Sequence, residues 1–275
     1  MDTDGPADER LSINQISVPR LTIRELADAC AAAGIRHVGL WRHRIQETGL
    51  EETARIIGES GLSVSTVCRG GMFPYAGAAD RRRRRDDNRR AVDEAATLGA
   101  HVLVLVCGPP GENTLEAARA MVEEEVADLI PYAGERGVPL GLEPLHPVFA
   151  AERSVLVTLE QANDLVAGFG RPPGLGVVID SYNVWWDPKL AVEIARAAGG
   201  TLSLQVSDWL VPTHDPLHGR GFMGDGVIAV SSIRKAVDEA GYAGPIEVEI
   251  FNREIWELPG EKTIEIIKRR FREST

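Results

Sequence analysis

Cysteine is scarce in this chain. Cys30, Cys68 and Cys107 are an odd set with no CxxC spacing, which argues against a disulfide framework and for reduced thiols in a cytoplasmic protein. No stretch of about 18 apolar residues occurs, so no membrane-spanning helix is expected. The first ten residues, MDTDGPADER, are acidic. A secretory signal needs a basic start and an apolar run, so residues 1–10 are expected to be a disordered leader. Positive charge is also short: 30 Lys plus Arg against 41 Asp plus Glu leave a net charge of −11 and a pI near 5.1. Such a surface repels phosphate backbones and disfavours a nucleic-acid binder.

Apolar residues, by contrast, make up 44% of the 275 positions, enough for a large core. Eight short apolar, β-branched runs recur: LSINQIS (11–17), RHVGLW (36–41), LSVSTVC (62–68), HVLVLVC (101–107), VPLGLEP (138–144), LGVVID (175–180), TLSLQVSD (201–208) and PIEVEIF (245–251). Segments of helical periodicity separate them, several ending in Gly, the residue favoured at a helix C-terminus. Runs apolar throughout suit a sheet covered on both faces. Eight such units in this length predict one domain over 11–275, an α/β fold of the single (β/α)8 TIM barrel type; an open doubly wound sheet is the rival. The basic run RRRRRDDNRR (81–90) is expected to be the solvated start of a helix, paired with Asp80, Asp86 and Asp87.

In a barrel, chemistry collects at the C-terminal ends of the strands. Glu143, Asp180, Gln205 and Glu249 end or nearly end runs five to eight, which are neighbours around the ring. Three carboxylates and an amide oxygen converging there form an oxygen-rich site for a hard divalent cation, Mn2+ or Mg2+; a helix cap or an arginine partner is the alternative for each acid. Glu247 shares a strand face with Glu249, which is preferred because it lies nearer the C-terminal end. His146, in the stiff loop EPLHP, is a candidate proton-transfer group. Arg220, among glycines in the long segment between runs seven and eight, is a candidate substrate contact, and Trp185 with Trp186 a candidate apolar wall. Trp41, Arg42 and the CRGG turn holding Arg69 end runs two and three. Cys68 is read as a packed thiol.

The pieces CRGGMF, GLEPLHP, VIDSYNVWWDP, SDWLVPT, RGFMGDGVI and VEIF resemble the sugar phosphate isomerase/epimerase family, whose fold is the xylose isomerase-like TIM barrel. The resemblance runs from about Leu11 to Phe271. It implies a divalent metal held by Glu, Asp, His and Glu from strands five to eight; Glu143, Asp180 and Glu249 match three of these positions. Gln205 stands where such proteins usually show His, and Asn183 where many show the His of a DxxH pattern. The resemblance also implies that Arg220 contacts substrate. Arg69, Asn183 and Trp185 are the remaining expected substrate contacts.

The resulting expectation is a metal-dependent isomerase, epimerase or lyase acting on a keto-sugar, keto-cyclitol or oxidised glycoside, with Glu143, Glu249 and His146 moving protons next to a carbonyl through an enediolate. The alternatives are a metal-free relative doing other acid–base chemistry, or a non-catalytic partner subunit. A small sugar-like molecule is the expected partner, without nucleic acid or membrane; a homodimer is compatible with the exposed tryptophans.

Overall fold

The computed structural model describes residues 8–275. Residues 1–7 of the expected leader lie outside the described residues. Asp8–Arg10 of that leader form a 3-10 turn, and Arg10 donates to Asp238 Oδ1 (2.8 Å) and Gly244 O (2.7 Å), so these three residues are folded against the barrel rather than disordered.

The eight apolar runs become eight parallel strands: β1 Leu11–Asn14, β2 His37–Trp41, β3 Ser63–Gly71, β4 Val102–Val106, β5 Leu140–Glu143, β6 Leu175–Asp180, β7 Thr201–Val206 and β8 Ile246–Val248. They pair in sequence order and close when β1 meets β8, with Leu11 opposite Ile246 and Ile13 opposite Val248. The open-sheet alternative is thereby excluded, because no strand of an open sheet pairs back to the first. A two-residue antiparallel ribbon, Asp208–Trp209 with Arg220–Gly221, folds the long segment after β7 back over the barrel mouth.

Strands are shorter than their apolar runs where a side chain competes for the backbone. LSINQIS stops at Asn14, whose Oδ1 accepts from Ile16 N at 3.0 Å and starts a 3-10 turn. PIEVEIF stops at Val248, which leaves Glu249 just beyond the strand end. Helices fill the outside, and threonine caps begin several: Thr22 makes a full capping box with Glu25 ahead of Ile23–Ala32, and Thr114 and Thr158 accept from the first turns of Leu115–Glu135 and Leu159–Gly168. Among the described residues, no helix is long and apolar enough to cross a membrane.

The arginine run lies on the helix Ala78–Thr97. Asp80 takes Arg83 and Arg84, and Asp87 takes Arg90, as local pairing predicts. Arg81, Arg85 and Arg89 instead reach Glu124, Glu125 and Asp128 on the next helix, so much of the run is an interhelical ion-pair seam rather than a purely solvated start. Asp87 and Glu94 on the same helix hold the buried guanidinium of Arg42 at 3.0 and 2.5 Å.

The barrel interior is layered, and glycine makes room in it. A methyl carbon placed on Gly39 of β2 would lie within 2.6 Å of the Glu247 carboxyl carbon. Glycine is therefore required there by the buried carboxylate and not by backbone torsion. Gly39→Ala is expected to lower the unfolding free energy by about 1–3 kcal/mol, the cost of displacing a buried, hydrogen-bonded charge. Urea denaturation at neutral pH checks it; an unchanged midpoint would mean that Glu247 moves aside freely.

Candidate active site

Glu247 and Glu249 both point inward, yet the structure treats them differently. Glu247 is fully buried and receives Ser65 Oγ (2.6 Å), Thr66 Oγ1 (2.8 Å), Asn14 Nδ2 (2.7 Å) and Gln205 Nε2 (2.9 Å). Four donors saturate its acceptor capacity, so it is a satisfied polar layer of the core. Glu249, one layer higher, lines a cleft at the C-terminal ends of the strands. The cleft encloses about 410 Å³ of non-atom space, part of it open to solvent, and Trp41, Arg69, Val106, Glu143 and Phe251 also line it.

Glu143, Asp180 and Glu249 are joined by two connectors. Asn183 sits in the single helical turn Ser181–Val184, which Asp180 caps by accepting from Tyr182 N at 3.0 Å. Its Nδ2 donates to Glu143 Oε1 (3.0 Å) and to Asp180 Oδ2 (2.8 Å), while its Oδ1 accepts from His146 N (3.1 Å). Arg220, buried in the ribbon, is the second connector. Its Nη1 reaches Asp180 Oδ2 (2.9 Å), Glu249 Oε2 (3.3 Å) and the Glu249 carbonyl (3.2 Å), and its guanidinium lies over Tyr182 and Phe251 at 4.5 and 5.1 Å from the ring centres.

One guanidinium does not balance three buried carboxylates. Burial pushes the Glu143 carboxyl up to about 8, the charge of Asp180 adding to it and Arg220 opposing it. Burial also raises Asp180, and it raises Glu249 well above the usual carboxylate range, against the pull of Arg220 in both cases. The Cys68 thiol is driven up by burial and then by Glu249, so it stays protonated and packed, as expected.

The expected residues are brought together unequally. Glu143, Asn183, Arg69, Arg220 and Glu249 line the cleft. Asp180 and Gln205 lie beneath it, fully buried. His146 turns away: its Nδ1 accepts from Val148 N (3.1 Å), and its ring packs 4.9 Å from Trp209 and 5.7 Å from Trp186. Trp185 packs against Trp209 at 5.8 Å, and the apolar walls come instead from Trp41, Phe149, Leu217 and Phe251. Asn14, which fixes Trp41 Nε1 at 2.9 Å and donates to both Glu247 and Glu249, was not singled out in the sequence, nor was Arg153, which lines the cleft from the loop after β5.

Does the donor set suit a cation? Gln205 must turn its amide N–H toward Glu247, which leaves its Oε1 buried without a hydrogen-bond donor. Gln205 pairs with Asp180 in the β6–β7 register, so its orphaned acceptor neighbours an under-compensated carboxylate, a donor chemistry that fits a hard divalent ion. Arg220 Nη1 bridges Asp180 and Glu249 as a cation would. Among the described residues, the His, Cys and acidic ligand atoms that converge within 4.8 Å are those of Cys68, Glu247 and Glu249. That trio is a poor centre, since Glu247 is saturated and the thiol is protonated.

Comparison with known proteins gives the fold a family context. Residues 27–273 match the model of the family described as xylose isomerase-like TIM barrel. A 3-dehydroshikimate dehydratase of Pseudomonas aeruginosa is 27% identical over 246 residues, covering 84% of this chain and 36% of the relative. The chain thus spans about a third of the length of that curated relative. Protein SMc04130 of Sinorhizobium meliloti superposes with a TM-score of 0.94 at 45% identity, covering 97% of this chain and 98% of the other. The IolI protein, described with a bound zinc atom, superposes at 0.84 with 18% identity, covering 96% and 97%. The expectation of an isomerase- or lyase-type enzyme agrees with the dehydratase name.

Arg220→Met is expected to cost about 3–5 kcal/mol of stability in the presence of a chelator, because it leaves Asp180 and Glu249 buried without their cation. Urea denaturation reads this directly. A loss under about 1 kcal/mol would show that Arg220 is not their counter-charge.

Proposed function

We propose that this chain, which belongs to the xylose isomerase-like TIM barrel family, is a divalent-cation-assisted lyase that removes water from a keto-cyclitol or keto-sugar, by taking a proton from the carbon next to the carbonyl. The observation that carries this is the buried, under-compensated group of Glu143, Asp180 and Glu249 with the free Gln205 Oε1 beneath a cleft. The dehydratase relative supports elimination over isomerisation. The three unpaired buried cysteines support the expected cytoplasmic setting.

Glu143, Asp180, Gln205 and Glu249 would hold the cation, Mn2+ or Mg2+, through oxygen. When bound, it supplies Lewis-acid stabilisation of negative charge on a substrate oxygen and keeps these carboxylates ionised.

The chain's own groups do the rest. Glu143 and Glu249 reach the cleft from β5 and from beyond β8, so a substrate in the cleft can meet both. One takes the proton on the carbon beside the ketone. The C–H electron pair passes into the enolate, which then forms the C=C bond as the β-hydroxyl departs with its electron pair; the carboxyl that has just received the carbon's proton passes it to that oxygen, water leaves, and the carboxylate is restored. Return of the proton to carbon without loss of hydroxyl gives isomerisation or epimerisation from the same enolate. Arg220, hydrogen-bonded to both Asp180 and Glu249, offers remaining N–H groups to the developing negative oxygen. Trp41, Phe149 and Phe251 exclude water from it. Asn183 holds the Glu143 carboxyl in place.

A metal-free acid–base enzyme is the second reading. It is favoured by Arg220, which already occupies the bridging position between Asp180 and Glu249.

Two measurements decide. Elemental analysis after dialysis against Mn2+ is expected to find about one divalent ion per chain, lost in Glu143→Ala; no ion in either sample would turn the choice to the metal-free enzyme. Incubation in D2O with cyclic keto-polyols, 3-dehydroshikimate among them, is expected to yield a dehydrated product. Glu143→Gln and Glu249→Gln should each lower kcat by about 10²-fold or more. Turnover of a keto-polyol with neither water loss nor solvent deuterium entering carbon would overturn proton abstraction.

A further inference from the structure

Arginines elsewhere in this protein are paired or exposed. The seam on Ala78–Thr97 has its acids, Arg42 has Asp87 and Glu94, and Arg220 has Asp180 and Glu249. Arg69 and Arg153 differ. Both are partly buried, both line the cleft, and among the described residues neither guanidinium has a hydrogen bond or an ion pair. Burial holds both below their usual basicity, as expected of cations withdrawn from water without a counter-anion.

Both are carried on fixed backbone. Arg69 lies near the end of β3, where Arg42 Nη1 donates to its carbonyl (3.4 Å) and Asn88 clamps Gly71 through both amide atoms at 2.6 and 2.8 Å. Arg153 follows the 3-10 turn Pro147–Phe149; its N–H donates to Phe149 O (2.9 Å) and its guanidinium lies 5.8 Å from the Phe149 ring centre. Both line the same cleft as Glu143, whose charge attracts each of them, and Arg153 also feels the repulsion of Arg69. Two pre-positioned cations kept together without an anion of the protein's own are a receptor for an anion from outside.

We propose that Arg69 and Arg153 bind a carboxylate on the substrate, so that the molecule turned over is a keto-polyol acid held by its carboxylate at this wall and by its carbonyl end over Glu143 and Glu249. A carboxylate is favoured over a phosphate because Glu143, and at Arg153 also Glu249, weaken the hold of these two guanidiniums on a doubly charged anion. The planar donor edge of arginine also suits the two oxygens of a carboxylate. This inference rests on the proposed reaction for the carbonyl end only; the anion contact itself is independent of turnover.

The test therefore measures binding. Shikimate, a cyclic polyol acid without the ring ketone, its carboxamide and inorganic phosphate are titrated calorimetrically into the wild-type protein and into Arg69→Met, Arg153→Met and Arg69→Lys, each confirmed folded by circular dichroism. Shikimate is expected to bind the wild type at least about tenfold more tightly than its carboxamide and more tightly than phosphate. Each Met variant should raise the shikimate Kd about tenfold or more while leaving the carboxamide Kd within about threefold, and Arg69→Lys should recover part of the loss. Equal affinity for acid and amide, preference for phosphate, or shikimate binding indifferent to both Met variants would overturn the carboxylate site. Acid-selective binding without turnover of any keto-polyol would leave this site standing and remove the proposed reaction; turnover without acid selectivity would do the reverse.

Discussion

A carboxylate taken out of water costs several kcal/mol unless hydrogen bonds or a cation replace its hydration. Among the acids this barrel buries, four lie at or just below its cleft: Glu143, Asp180, Glu247 and Glu249. Much of the surrounding architecture answers that requirement. Ser65, Thr66 and Asn14 are polar where a barrel interior is usually branched and apolar, and they serve Glu247. Gly39 is a glycine because the same carboxylate occupies the space of its side chain. The short ribbon after β7 brings Arg220 down onto Asp180 and Glu249.

The four acids are compensated to different degrees, and this difference separates structure from chemistry. Glu247 has a donor for its acceptor sites and belongs to the core. Asp180 and Glu249 share one guanidinium, and Glu143 has the amide of Asn183. The three under-compensated acids border or underlie the cleft, whereas the satisfied one lies deeper. Gln205 connects the two layers: its N–H serves the satisfied acid, so its oxygen is left facing no donor. An imidazole at that position would present one nitrogen to each neighbour, whereas the amide contributes the same donor below and a harder oxygen above. The departure at Gln205 is thus compatible with a cation site rather than an obstacle to it.

The barrel was legible in the sequence because its signal is repeated eight times, and each apolar run became a strand, though the first and last runs are cut short and the third extends to Gly71. The strand-end acids were legible for the same reason, since a known strand end fixes which residue faces the mouth. What was hidden depends on contacts across the ring. Period-two alternation puts Glu247 and Glu249 on one face but cannot say that the first meets donors from β1, β3 and β7 while the second meets a cleft. His146 and Trp185 have the chemistry of site residues, yet both join the aromatic packing around Trp209 instead of the cleft lining. Arg153 had no motif at all: its importance comes from the acid it lacks, and a missing partner leaves no trace in a linear sequence.

The same accounting explains why a chain with a net charge of −11 keeps arginines at its cleft. Long-range attraction from an acidic surface would draw cations toward the mouth and repel anions, so an anionic ligand must be captured by short-range, partly desolvated contacts. Arginine suits that role: its charge persists when partly buried, and its donors lie in a fixed plane. The cleft is lined by acids (Glu143, Glu249), by the arginines Arg69 and Arg153 and by aromatic rings, which is the basis for proposing two poles, one for a cation and one for an anion. A ligand satisfying both must carry a carbonyl or hydroxyl pair at one end and negative charge at the other. Its orientation would then be set by electrostatics before any shape selection operates, and in the proposed reaction the far end of the molecule would hold the reacting carbon near Glu143 and Glu249.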